Sequence, residues 1–146
     1  MKLSSKTDCA LRTVLDLAVH SNEGVIRTSV MAERLDISRD YMAQILNMLK
    51  VAGIVRSKRG LDGGYMLARN PEQLTVMSIV QLTDPALAAL PEHPSSQNRT
   101  LERAVVADMW GRITERLNAE LEAITIHDIC DQVTAMANRD GTDYAI

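Results

Sequence analysis

Phenylalanine is absent from this 146-residue chain, and aromatic residues together make up only 3% of it. Any core must therefore be aliphatic and rich in methionine, of which there are eight. Hydrophobic residues at 46% are enough for a packed globular protein rather than a disordered one. Cysteine is nearly missing. Cys9 and Cys130 are too few and too distant for a disulfide framework or a CxxC metal site, so reduced thiols in a cytosol are the simpler expectation. No apolar run nears the ~20 residues of a membrane span. Arg12 and Asp16 interrupt the N-terminal stretch LRTVLDLAVH, which excludes a signal-peptide core. A soluble cytoplasmic protein with no membrane partner is expected.

Enzymatic signatures are missing as well. His20, His93 and His127 are scattered, without a carboxylate or cysteine at metal-ligand spacing. The GLDGG segment lacks the GK[ST] ending of a phosphate loop, and no GxSxG occurs. No catalytic residue, metal or cofactor is expected.

The charge is unevenly spread. Net charge is −3, yet residues 1–70 hold eleven Lys or Arg against seven Asp or Glu, while residues 71–146 hold five against twelve. Such asymmetry suits a basic face for a polyanion and an acidic half with another task.

Apolar spacing predicts a first helix from Asp8 to His20, carrying Leu11, Val14, Leu15 and Ala18 on one stripe. After a short extended VIR run, Thr28 or Ser29 can cap a second helix through Leu35, with Val30, Met31 and Leu35 inward. Asp36-Ile37 is a turn. Ser38 then caps a third helix with Met42, Ile45, Met48 and Leu49 buried, and Gly53 stands where a left-handed stop is wanted. Ile54-Val55-Arg56 and Tyr65-Met66-Leu67 read as two short strands of a hairpin. Thr75 caps a further helix ending at Asp84-Pro85. Residues 85–99 hold three of the four prolines and read as an irregular linker. From Thr100 a long helix runs to about Ala123, with Leu101, Val105, Met109, Ile113, Leu117, Leu121 and Ile124 on one stripe. Thr125 caps a last helix, IHDICDQVTAMA, followed by a frayed tail.

Three helices followed by a basic, glycine-rich hairpin make a winged helix-turn-helix, a mainly α fold. The expected division is a winged helix-turn-helix domain over 1–84, a linker over 85–99 and dimerisation helices over 100–146. The long stripe offers more apolar surface than a small neighbouring domain covers, which points to a homodimer. Candidate DNA-binding residues are Ser38, Arg39, Tyr41 and Gln44 on the third helix, and Lys58, Arg59 and Gly60 on the wing. Ser38 leaves backbone N–H groups beside it for a phosphate. Gln can pair with adenine, Arg with guanine, and Tyr can donate to a phosphate. Asp40 could accept from a cytosine amino group, but is expected rather to hold Arg39 or Tyr41 in place. At the wing tip, glycine lets the backbone approach and an Arg gains from the potential of a narrow minor groove.

The stretches KLSSKTDCALRTVLDLA, ISRDYMAQILNMLKVAGIV and RSKRGLDGGYML resemble the Rrf-type family of bacterial regulators, whose members include IscR, NsrR and CymR. The resemblance covers about residues 1–84 and continues more weakly beyond. It implies a homodimeric winged-helix transcription factor with crossed long helices, and carries base contacts onto Ser38, Tyr41, Gln44, Arg59 and Gly60. Ala43 stands where IscR-like members have an acidic residue, so their site preference does not carry over. Cluster-binding members place three cysteines between the winged domain and the long helix, whereas residues 85–99 contain none. Asp8 aligns with a cluster ligand of some NsrR-like members, but one carboxylate without thiolates cannot hold iron–sulfur. The expected function is a sequence-specific DNA-binding regulator, a homodimeric repressor without a cluster, acting on double-stranded DNA. Its switch is a redox thiol (Cys9 or Cys130), a regulatory partner protein, or a small-molecule effector between the winged domain and the long helix. The alternative is a winged-helix protein-interaction module that regulates through a partner rather than through DNA.

Overall fold

The computed structural model describes residues 3–89 and 100–141. Along them run α1 (Ser5–Val19), α2 (Thr28–Leu35), α3 (Arg39–Val51), a hairpin of β1 (Val55–Lys58) and β2 (Gly64–Leu67), then α4 (Val76–Thr83), α5 (Pro85–Ala88), α6 (Leu101–Ala123) and α7 (Ile126–Asp140). This is the mainly helical, single-hairpin architecture that the sequence predicts.

α1 begins three residues before the expected Asp8 because Ser4 is available as a cap, accepting from Thr7 N at 3.1 Å. Its face of Ala10, Val14 and Leu17 is buried, and the helix packs against α2, α3, α4, α7 and β2. Hydroxyls fasten its first turns. Thr83 Oγ1 donates to Ile79 O, so Thr7 Oγ1 donates to Thr83 Oγ1 at 2.8 Å inside the core.

α2 starts differently from expectation. Arg27 occupies the N-cap and no side chain caps the helix, leaving Thr28 as its first helical residue. Met31 and Ala32 are buried, but Val30 is 40% exposed and not inward as expected. Asp36, at φ 53°, makes the left-handed turn into α3. In α3 the buried residues are Met42, Ile45, Leu46 and Leu49; Leu46 takes the place expected of Met48, which is only half-buried.

The hairpin pairs Val55 with Leu67 through Lys58 with Gly64. A third segment joins it, because Ile26 and Tyr65 exchange backbone hydrogen bonds of 2.9 and 2.8 Å. This contact explains Gly64, and the hairpin's own backbone explains Gly63. A Cβ on Gly64 would stand 2.2 Å from Ile26 O, and one on Gly63 would stand 2.6 Å from Lys58 O.

The C-terminal part corrects several expectations. The segment after Asp84 opens with a helical turn, α5, and residues 90–99 of the expected linker lie outside the described residues. α7 does not stop near Ala137 but runs to Asp140, closed by Gly141 at φ 63°. Of the tail expected to fray, residues 142–146 lie outside the described residues. Most importantly, α7 turns back onto α1. Val76 N donates to Ile124 O at 2.9 Å and Ile126 N to Leu74 O at 2.8 Å, and both Leu74 and Ile126 are fully buried in one shared core. A reciprocal cap between Thr125 and Asp128 starts the helix, and these hydrogen bonds hold the Asp128 carboxyl below the usual carboxylate range. The segment expected to dimerise therefore contains a helix that also completes the core of the winged unit.

α6 is the opposite case. It buries no residue, packs on α4, and exposes Leu101, Val105, Val106, Met109, Trp110 and Ile113.

α1 and α2 are also joined by a small ionic cluster. Asp16 is 7% exposed, with Arg34 Nε at 3.6 Å and His20 Nδ1 at 3.4 Å from its Oδ1, and Arg34 reaches on to Glu23 at 3.6 Å. Burial raises the Asp16 carboxyl above its ordinary value; Arg34 and His20 oppose this incompletely, and Glu23 adds to it.

Two outcomes follow from this packing. Ile126→Ala is expected to lower the stability of the whole winged unit by about 2–5 kcal/mol, because it empties a fully packed site; a denaturation midpoint unchanged from wild type would show that α7 is not part of that core. Asp16 takes up its proton more readily in the folded than in the unfolded chain. Its contribution therefore falls as pH rises from the ordinary carboxylate value through the raised one. Asp16→Asn is expected to flatten the stability profile in that interval, as read from urea unfolding at successive pH values.

Candidate nucleic-acid interface

Ser38, φ −60°, starts α3 by accepting from Tyr41 N at 3.3 Å. It is exposed, as are Arg39, Asp40 and Gln44. At about 100° per residue the outward arc of α3 holds Arg39, Asp40, Ala43, Gln44 and Asn47. Tyr41 lies at the edge of that arc, half-buried against the core, rather than on the face opposite Met42. Asn47 was missed by sequence reasoning although it is exposed three residues after Gln44, a spacing that places both on one face. Its carboxamide offers the paired donor and acceptor that match adenine. No ion pair joins Asp40 to Arg39 among the described residues; the acidic group instead sits in the first turn, where the helix dipole favours it.

The wing presents Lys58, Arg59 and Gly60, all exposed, with Gly60 at φ 113°. Its shape is held from outside the hairpin. Arg27 Nη2 donates to Leu61 O at 2.9 Å and stands 3.8 Å from Asp62 Oδ1, tying the tip to the start of α2. Arg27 is a second residue that sequence reasoning missed, since nothing in its local pattern announces a partner 34 positions away. Lys50, on the last turn of α3, lines the same open cleft as Lys58, Arg59 and Gly60, so helix and wing meet on one cationic surface. Ser38 and Arg39 border another shallow cleft with Glu33 and Asp36 at the α2–α3 turn.

The two thiols are poorly placed for sensing. Cys9 on α1 and Cys130 on α7 are both half-buried against the core. Burial pushes the Cys130 thiol up, with Asp131 adding to the shift, the reverse of an activated thiolate.

Comparison with known proteins matches this geometry. A family profile described as "Rrf2: Iron-dependent Transcriptional regulator" matches residues 3–132. The "HTH-type transcriptional regulator IscR" of Pectobacterium atrosepticum is 30% identical over 145 residues, spanning 98% of this chain and 88% of its own length. Among solved structures, T. potens IscR superposes with a TM-score of 0.74 at 28% identity, covering 91% of this chain and 88% of that one. CymR of B. subtilis gives 0.77 at 26% identity, covering 90% and 98%. The iron in the family description finds no matching donor set here. Among the described residues no three His, Cys, Asp or Glu side chains converge, the two cysteines lie on different helices, and residues 85–99 supply no thiol. With its helix-turn-helix, its wing and its long exposed helix in place, the chain belongs to the Rrf2 family of transcriptional regulators.

Proposed function

We propose that this regulator is a cytoplasmic homodimer that represses transcription by reading a two-fold DNA site, and that it does so without an iron–sulfur cluster. The observation that carries the reading is the pairing of an outward polar arc on α3 with a cationic wing on the same surface. Ser38 and the free N–H groups beside it would take a phosphate, Arg39 and Gln44 would address base edges, and Tyr41 at the rim would donate to a phosphate. Lys58 and Arg59 would enter the adjoining minor groove, with Gly60 allowing close backbone approach. A protein-interaction module without DNA affinity would have no use for this arrangement.

The dimer reading rests on α6. Six large exposed apolar side chains, on a helix none of whose residues is fully buried within its own chain, form a stripe of the kind that marks an interface. A two-fold axis through two such helices would set the readers on successive major grooves, ~34–36 Å apart.

For the switch, an open cleft is one candidate besides the thiols. This cleft of about 190 Å³ lies between α1 and α7, lined by Leu15, Val19, Leu35 and Val133 with Arg12, Asp16 and His20. It is smaller than an ordinary ligand site and is not next to the long helix where an effector was expected. Among the three triggers, a partner protein on the acidic C-terminal half is the reading we retain.

Arg59→Ala and Gln44→Ala are each expected to weaken specific binding by ~1–3 kcal/mol, with Gln44→Ala also relaxing base preference at one position. Selection from a random duplex pool followed by competition binding measures both; full affinity in both variants would remove the proposed contacts. Replacing Val106 and Ile113 by Glu is expected to yield monomers in sedimentation equilibrium and to weaken binding to a two-fold site more than tenfold. A variant that stays dimeric would place the interface elsewhere.

A further inference from the structure

The cleft between the wing and the helices is not empty space left by a loop. About 380 Å³ in volume, it is lined by Arg27 and Thr28 at the start of α2, Lys50 on the last turn of α3, and Ser57, Lys58 and Arg59 on the hairpin. Three separate elements thus bring four cations and, with Tyr65, three hydroxyl-bearing residues to one opening. No ion pair is recorded for Lys50, Lys58 or Arg59 among the described residues, whereas Arg27 is committed to the wing through Leu61 O and the Asp62 carboxylate. That commitment fixes the far wall of the cleft before any ligand arrives, which lowers the ordering cost of binding.

We infer that this cleft is a phosphate seat for the sugar–phosphate strand of the duplex, with Lys50 as its central cation. The inference rests on the proposed reading of DNA by α3 and the wing, and adds a contact that neither the helix arc nor the wing tip contains. Its geometry follows from the shape of the duplex. The major groove that admits α3 and the neighbouring minor groove that admits a wing are separated by one backbone strand. An element in each groove must therefore straddle that strand, and this cleft lies between α3 and the wing. Lys50 stands six residues beyond Gln44, ~9 Å farther along the helix axis at 1.5 Å per residue, so it meets the groove wall while Gln44 faces its floor. A lysine there is a compact point charge and carries no base information.

The distinguishing property is indifference to sequence. In the full-length protein, Lys50→Gln is expected to reduce affinity for the selected operator and for random duplex by the same factor. It should also lower the slope of log affinity against log salt by about one. Lys50→Arg should restore most of both. Gln44→Ala serves as the contrast, since it should lose operator affinity while leaving the salt slope in place. Matching thermal unfolding of wild type and Lys50→Gln excludes a folding defect as the cause. If wild type binds DNA and Lys50→Gln keeps its full salt slope, the phosphate seat is wrong and the reading of DNA by helix and wing stands. A wild-type protein whose duplex binding is insensitive to salt would overturn both.

Discussion

The buried face of α1 is the surface to which every other part of the reader is referred. Ala10, Val14 and Leu17 are buried, and around them sit α2, α3, α4, α7 and β2. Such a helix cannot shift by one residue without rotating ~100° and driving polar groups into the core. Its register is pinned twice more, by the Thr7–Thr83 hydroxyl pair and by Asp16 against Arg34. The second of these has a cost, since a carboxylate is held in a place that favours its neutral form. The cluster is best understood as fixing the angle between α1 and α2 rather than as adding stability. Because α2 delivers Asp36 and then Ser38, that angle decides where the arc of α3 points.

Much of this was legible in the sequence wherever a residue acts on its near neighbours. The Ser38, Thr75 and Thr125 caps, the Gly53 stop and the hairpin all depend on contacts a few positions away, and all occur where the pattern puts them. The same locality explains the reader itself, since Gln44, Lys58 and Arg59 are exposed simply by helical phase and turn composition. What escaped were long-range choices. That Leu46 rather than Met48 is fully buried depends on how α1, α2 and β1 pack on α3, which no helix period contains. Arg27 braces the wing across the fold, and Ile126 joins a core built mainly by residues from the first half of the chain. Tyr41 belongs to both worlds, its place on the helix being plain and its partial burial not.

Affinity and selectivity in this fold are assigned to different chemistry. In the proposed interface Lys50 and Lys58 answer to phosphate charge on any duplex, Arg59 to the width of the minor groove, and the carboxamides of Gln44 and Asn47 to base edges once the helix is seated. An overall acidic chain with a basic surface is suited to that division. The acidic excess of residues 71–146 opposes a polyanion, which disfavours binding in other orientations.

The clasp formed by Leu74, Val76, Ile124 and Ile126 has a mechanical consequence. α6 spans ~35 Å at 1.5 Å per residue, and its C-terminal end is held through paired backbone bonds to the body that carries α3. It is therefore a rigid arm that carries that body at one end. In the proposed dimer, tilting one long helix against the other by ~5° would displace the body at the end of such an arm by ~3 Å. That is enough to take two readers out of step with successive grooves while altering no contact within either. A signal acting on the seam between the long helices would thus need no path through the core to reach the DNA.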